Sequence, residues 1–269
     1  MGMEDDMKKL ENKTVLITGA SSGIGFAFAQ LLAEYKMKLV ITARQTDKLN
    51  TLAEQLRKKG ADVQVFTCDL SKKGAANLLY QQIQEANIAI DLLINNAGFG
   101  KWGEFLDFDL ETYNNMLQLN INALTELCYL FIPHMIKAGS GGIINVASLA
   151  SFTPVPYATV YSASKSYVLF FTEALSGEYK DKGLHIMALC PGGTESNFAK
   201  VAAPHLNYEK GDFDSAEFVA QKGLEAFLQG KRHVVIGKKN KTISLLPRFL
   251  SRKSIINIVG KAWKKRINL

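Results

Sequence analysis

Tyr161 and Lys165, in Tyr161-Ser162-Ala163-Ser164-Lys165, are the two residues of this chain best suited to moving a proton between them. On a helix, positions four apart share a face about one turn from each other. A phenol at its ordinary pKa of about 10 gives up a proton but is hard to recycle as a base near neutrality. A lysine ammonium beside it would stabilise the phenolate and lower that pKa. Hydride transfer to a carbonyl needs such an acid for the developing alkoxide, and donors aimed at the oxygen. In a chain with nine tyrosines a pair at this spacing also arises by chance. This pair gains weight from its position, just after a strand-like stretch ending at Ile143–Ser148.

A second cluster is the turn Gly19-Ala20-Ser21-Ser22-Gly23-Ile24-Gly25, between a β-branched apolar stretch and a helical pattern. Glycines there permit tight turning and close backbone approach, and a helix N-terminus directs free N–H groups at an anion. The spacing is GxxxGxG rather than GxGxxG. A Gly/Ser turn between strand and helix is also ordinary loop chemistry.

The elements that must hold these residues alternate along the chain. Strand patterns fall at Thr14–Thr18, Lys38–Thr42, Val63–Thr67, Leu92–Ile94, Ile143–Val146, His185–Leu189 and Val234–Ile236. Helical patterns lie between them at Ile24–Glu34, Asp47–Lys59, Ala75–Ala86, Leu110–Lys137, Thr159–Lys180 and Ala216–Leu228. Short continuous apolar strands separated by helices predict a parallel sheet covered on both faces, an α/β doubly wound architecture. Ligands of such sheets bind beyond the carboxyl ends of the strands.

A chain of 269 residues can form one such domain with a sizeable core, and no Pro/Ser/Gly-rich linker divides it. We expect one catalytic unit over residues 1–237 and a basic helical extension over 238–269. The longest apolar stretches are too short to span a bilayer. The N-terminal Met1–Lys9 lacks the apolar run of a signal peptide, and Asp6 stands where a myristoylated Gly2 would want Ser or Thr. Cys68, Cys128 and Cys190 are odd in number and lie in apolar surroundings, which favours reduced thiols in a cytoplasmic protein. The four His show no zinc-binding spacing, so no metal is expected. From Lys231 to Leu269 there are twelve Lys or Arg and no Asp or Glu, leaving 20 basic and 25 acidic residues before them, a net of −5. The excess positive charge sits in the tail.

Thr18-Gly19-Ala20-Ser21-Ser22-Gly23-Ile24-Gly25 resembles the TGxxxGxG cofactor motif of the short-chain dehydrogenase/reductase family. Asn95-Asn96-Ala97-Gly98 resembles the family's NNAG, Tyr161 to Lys165 its YxxxK, and Pro191-Gly192 its PG. The likeness runs from about Lys13 to Ile236 in the family's order. It implies a Rossmann-type fold, an oxidoreductase activity and a nicotinamide cofactor held by Gly19, Ser21, Ser22, Gly23, Ile24 and Gly25. Asp69 and Leu70 are similar to the family's adenine-contacting pair, although an Asp at a strand end can also cap the next helix. Asn96, Ala97, Gly98, Pro191, Gly192 and Thr194 would complete the cofactor site, with Asn95 and Ser196 beside them. Ser148 matches the family's catalytic serine, with a turn cap as its other reading. Asn120 resembles its proton-relay asparagine, with Asn122 nearby as a rival.

An acidic residue at the second strand end would hold the ribose of NAD, whereas a basic one pairs with the 2′-phosphate of NADP. Ala43-Arg44 stands there, and Arg44 offers a planar fork for phosphate; a solvated arginine is the plainer reading. NADP(H) is the expected cofactor.

Phe99, Trp102, Phe105 and Phe108 in one loop, and Phe198, Pro204, His205, Tyr208 and Phe213 in a lid-like segment over Asn197–Asp214, suggest a hydrophobic carbonyl or alcohol substrate, though surface packing explains them equally well. In the tail, Ile255, Ile256, Val259, Ala262 and Trp263 fall roughly on one helical stripe among basic residues. Such a helix can lie on an anionic membrane, dock an acidic partner, or pack on its own body or a second subunit. No nucleic-acid recognition module surrounds these charges. The expectation is an NADPH-dependent ketone or aldehyde reductase, homodimeric or larger. A cofactor-binding regulator acting through its tail is the alternative, which an intact Ser148, Tyr161 and Lys165 argues against.

Overall fold

The computed structural model describes residues 10–203 and 213–267, so the expectations placed on Gly2, Asp6, Pro204, His205 and Tyr208 lie outside the described residues. Seven strands form one parallel sheet: β1 (Thr14–Thr18), β2 (Lys38–Ala43), β3 (Val63–Thr67), β4 (Leu92–Asn95), β5 (Gly141–Val146), β6 (Leu184–Cys190) and β7 (His233–Val235). They lie in the order β3-β2-β1-β4-β5-β6-β7. Successive side chains of a strand point to opposite faces. Val15 and Ile17 therefore join one core, with Leu39, Ile41 and Ile144, while Leu16 joins the other, with Val40, Leu93 and Ile143. The first core is covered by α1 (Gly23–Glu34), α2 (Thr46–Lys58) and a later helix over Ala216–Leu228, the second by α3 (Ala75–Glu85) and two long helices. This is the doubly wound Rossmann-type sheet expected from the alternation.

The stretch read as one helix over Leu110–Lys137 is instead α4 (Leu110–Leu117) and α5 (Leu124–Lys137), joined by a wider π turn over Gln118–Ala123. A π turn inserts a residue into the helical repeat and is frequent at functional sites. Here it carries Asn120, whose side chain is held by groups outside the helix. The second long helix, α6, runs Thr159–Tyr179. After β6 come α7 (Asn197–Ala202) and α8 (Ala216–Leu228), whose Ser215 caps it by accepting from Phe218 N.

Beyond β7 the chain forms α9 (Lys238–Leu245), a tight turn over Leu246–Arg248, and α10 (Arg252–Arg266). This segment folds back on the body. Ile255 and Ile267 are buried, and Trp263 meets Trp102 edge-on at 5.1 Å between ring centroids. Ile267, Val259 and the two tryptophans, together with Val155, Ala158 and Ala202, make a third, small core at the carboxyl end of the sheet.

A polar thread runs through the second core. Asn95 Nδ2 donates to Asn145 Oδ1 at 2.9 Å, and Asn145 Nδ2 donates to Thr172 Oγ1 at 3.0 Å. All three are buried, so the bonds tie β4 and β5 to the α6 helix that carries Tyr161. A buried polar group left without its partner costs about 1–3 kcal/mol. Asn145→Ala is therefore expected to lower unfolding stability by about 2 kcal/mol in urea titration; a change within error would show that the thread contributes nothing.

Candidate active site

The turn after β1 is held open by its neighbours rather than by its own hydrogen bonds. Asn96 Nδ2 donates to the carbonyls of Thr18, at 2.9 Å, and Gly19, at 3.3 Å. Thr18 Oγ1 accepts from the N–H groups of Asn96 and Ala97, both at 3.0 Å. Gly19 has φ +66°, and a Cβ there would sit 2.9 Å from Ala97 Cα. A Cβ on Gly25 would lie 2.6 Å from the Gly19 carbonyl oxygen. The two glycines thus let three backbone segments touch, and leave the first turn of α1, from Gly23, facing a cavity. Free N–H groups at that helix start favour an anion. The cradle fits a dinucleotide pyrophosphate.

Around this turn opens a cavity of about 950 Å³. Every residue expected at the site lines it except Gly25, which packs beneath the turn, and Asn120. Arg44 is exposed on its wall, and among the described residues no carboxylate pairs with it. Lys48, one helical turn further on, lines the same wall. Two cations without an ion-pair partner among the described residues, beside an anion cradle, suit a phosphate-bearing ribose. Asp69 Oδ1 accepts from the N–H and the hydroxyl of Ser71, at 3.1 and 2.7 Å. It therefore shapes a local turn and does not cap α3, whose N-cap is Gly74. Leu70 is buried against the same wall.

Lys165 is buried, and its Nζ donates to the Val146 carbonyl at the end of β5 at 2.7 Å. Burial pulls its pKa down from 10.5 to about 8, with only slight opposition from the Cys190 thiol. Ser148 follows β5 directly and caps a short turn over Leu149–Phe152, accepting from Ala150 N at 3.1 Å. Its hydroxyl also lies near enough to the Tyr161 phenol to favour the phenolate, and it lines the same cavity, so its cap and site readings hold together. Burial pushes the Tyr161 phenol up to about 12, against the smaller downward pull of Ser148. The expected lowering by Lys165 is not what the structure displays: burial is the largest influence on the phenol, and the ammonium donates to the Val146 carbonyl.

Asn120 is fully buried. Its Oδ1 accepts from Phe99 N at 3.1 Å, while its Nδ2 donates to Phe99 O and to Ser164 Oγ, each at 3.0 Å. Ser164 Oγ in turn donates to the Tyr161 carbonyl at 2.7 Å. Asn122, by contrast, is exposed and donates to Gln118, so of the two asparagines Asn120 is the one held against the helix that carries Tyr161. Asn95 lies in the buried thread, away from the cavity.

Past Tyr161 the cavity turns apolar. Phe99 and Trp102 line it, whereas Phe105 and Phe108 pack on Tyr113. Phe198, whose ring lies 5.4 Å from that of Tyr161, and Phe213 line it from the lid-like segment. Pro191, Gly192, Thr194 and Ser196 form the floor after β6, where Asp214 N donates to Gly193 O at 2.9 Å. Other parts of the wall were missed from the sequence, among them Leu149, Val155 and, from the tail, Ile243, Leu246, Val259 and Trp263. Lys48 could have been found as the next cation four residues after Arg44. Nothing local marks the tail residues as lining a cavity. Among the described residues no His, Cys, Asp and Glu cluster could hold a metal, and the three cysteines are free and buried.

A family model described as short chain dehydrogenase matches residues 13–207. The human very-long-chain 3-oxoacyl-CoA reductase is 30% identical over 250 residues, 90% of this chain and 78% of that protein. The ketoacyl reductase HetN of Nostoc sp. is 32% identical over 243 residues, 89% of this chain and 83% of its own. A short-chain dehydrogenase from Sphingobium yanoikuyae, solved in complex with NADPH, superposes with a TM-score of 0.79 at 28% identity, covering 89% of this chain and 97% of that one. With a glycine cradle, a half-buried tyrosine beside a buried lysine, and a parallel sheet all in the matched order, this chain belongs to the short-chain dehydrogenase/reductase family.

Proposed function

We propose that this oxidoreductase reduces the keto group of a hydrophobic substrate with NADPH, a 3-oxoacyl thioester being the favoured class. The observation that carries the reading is the arrangement of Ser148, Tyr161 and Lys165 between a cationic, glycine-floored half of one cavity and its aromatic and aliphatic half. The names of the human and Nostoc relatives, both reductases of oxoacyl or ketoacyl groups, support the substrate class. The NADPH complex of the Sphingobium enzyme supports the cofactor.

When bound, the cofactor supplies the hydride. The chain's own residues do the rest. Gly19, Ser21, Ser22, Gly23 and Ile24 hold the pyrophosphate, with Gly25 permitting the turn, while Arg44 and Lys48 hold the 2′-phosphate. Asp69 and Leu70 flank the adenine; Asn96, Ala97, Gly98, Pro191, Gly192 and Thr194 enclose the remainder. Ser148 donates to the substrate oxygen, and Tyr161 delivers its proton to that oxygen as negative charge develops. Lys165 places a positive charge behind the phenol, and Asn120 positions the Phe99 loop against α6 and serves the proton path. A pure sensor would not need all of these groups, and the tail on which that alternative rests forms part of the cavity wall.

A phenol pushed up to about 12 stays protonated across the neutral range, ready to donate. Lys165 is charged below about pH 8 and loses its proton above it. Reduction by the parent enzyme is therefore expected to be level near neutrality and to fall as pH rises through about 8. In the same NADPH-oxidation assay on 3-oxoacyl thioesters and hydrophobic ketones, Tyr161→Phe should lower kcat about a hundredfold or more while NADPH still binds. Near-parental turnover in that variant would remove Tyr161 as the acid.

Charge-assisted hydrogen bonds are worth about 1.5–3 kcal/mol each. Arg44→Ala should accordingly raise the KM for NADPH about tenfold or more and leave NADH use little changed. Equal effects on both cofactors would move the 2′-phosphate elsewhere. Self-association is part of the reading: Tyr129 on α5 and Phe170 on α6 are 79% and 69% exposed on the two long helices. Sedimentation at the mass of one chain would contradict it.

A further inference from the structure

The residues after β7 present two surfaces at once. On the inner side of α10, Ile255 is buried, and Val259 and Trp263, at four-residue steps beyond it, pack on the third core, while Ile258 and Ala262 line the cavity with Ile243 and Leu246 of α9 and its turn. On the outer side, Phe249 is 80% exposed, and Leu245, Leu250 and Ile256 are exposed around it. Lys241, Arg248, Arg252 and Lys253 stand between them, all exposed. Large apolar side chains around the turn between two helices, with cations among them, describe an element that fits neither water nor the protein's own core.

We propose that the α9–turn–α10 segment is a docking face for an anionic lipid surface, and that the substrate cavity opens beside it toward the lipid. Three observations favour lipid as the occupant. Twelve Lys or Arg lie from Lys231 to Leu269 without one acidic residue, while the preceding body has a net charge of −5; an anionic surface thus attracts the tail, repels the body, and orients the molecule. The exposed apolar turn is of the kind that inserts at the boundary between headgroups and acyl chains, with cations held at headgroup level. Finally, this segment is itself a wall of the cavity, so an acyl chain leaving the bilayer would reach Tyr161 without crossing water. The contact is peripheral: among the described residues no helix is long and apolar enough to cross a membrane. Docking stands on the tail alone, whereas delivery rests on the reading of the cavity as a site for hydrophobic carbonyl reduction.

The test is co-sedimentation of the full-length protein with phosphatidylcholine vesicles, with and without phosphatidylserine, alongside turnover of a short soluble ketone and of a vesicle-borne long-chain 3-oxoacyl thioester. Binding is expected only with phosphatidylserine and should weaken with salt. Arg252→Gln or Lys253→Gln should each lower the partition constant about fivefold, and the Phe249→Asp, Leu250→Asp pair more than about tenfold. That pair should leave turnover of the soluble ketone unchanged and slow that of the vesicle-borne substrate. No binding to either vesicle, or binding indifferent to these substitutions, overturns docking. Binding to an acidic acyl carrier protein in place of vesicles assigns the face to a protein and overturns it too. Docking with equal turnover of the vesicle-borne substrate by parent and pair overturns delivery only. Failure of every carbonyl tested would sink the reductase reading and leave the sedimentation result standing.

Discussion

An ammonium carried to the edge of an apolar core must find oxygen, and Lys165 finds it in the Val146 carbonyl at 2.7 Å. The need to pair that charge draws the start of α6 onto the end of β5. The same residues are then cross-tied through their backbones. Ser151 Oγ donates to the Lys165 carbonyl at 2.7 Å and accepts from Ser148 N at 3.2 Å, while Ser166 Oγ donates back to Ser151 O at 2.9 Å. Ser148, Tyr161 and Lys165 are thus not three independently placed side chains. They hang from one joint between a strand end and a helix. The joint carries a cost, visible in the depression of the Lys165 pKa to about 8, and the two cores on either side of the sheet offset it.

The second constraint is topological. The strand order runs outward from β1 in one direction and from β4 in the other, so the loops after these strands diverge and leave a crevice between them. Asn96 and Thr18 staple that crevice at its base through four hydrogen bonds. The glycines of the first turn matter because of this staple: Gly19 and Gly25 are small where Asn96 and the Ala97 backbone must pass. Asn120 repeats the device on the other side, holding the Phe99 loop to α6 through Ser164. Its π turn lets a buried amide reach a loop that a regular helix would leave unpaired.

The third part of the site comes from the far end of the chain. A parallel sheet with its crossovers leaves the carboxyl edge open above the crevice, and α9 and α10 close part of it with apolar side chains. The polar half of the cavity is therefore built by loops and helix starts, where backbone N–H groups are free, and the apolar half by a helix whose own core contact is a single stripe. Polar chemistry at one end and a hydrocarbon-like wall at the other are thus supplied by different segments, which can vary independently of each other.

Features set by neighbours along the chain were legible from the residues. The glycine turn between β1 and α1, the four-residue step from Tyr161 to Lys165, the alternation of strands and helices, and the cation after β2 each depend on spacing within a few residues. Features set by partners far along the chain were not. The π turn at Asn120 answers to Phe99, twenty-one positions away; Phe99 and Trp102 face the cavity while Phe105 and Phe108 turn to Tyr113. The direction of the Tyr161 pKa is a sum of desolvation over every atom around it, which no local spacing encodes. The tail's periodicity marked it as an amphipathic helix, but which surface its apolar stripe would cover is decided by the shape of the folded body. Local backbone geometry follows from local sequence, whereas burial, and with it charge and cavity, exists only once distant segments have come together.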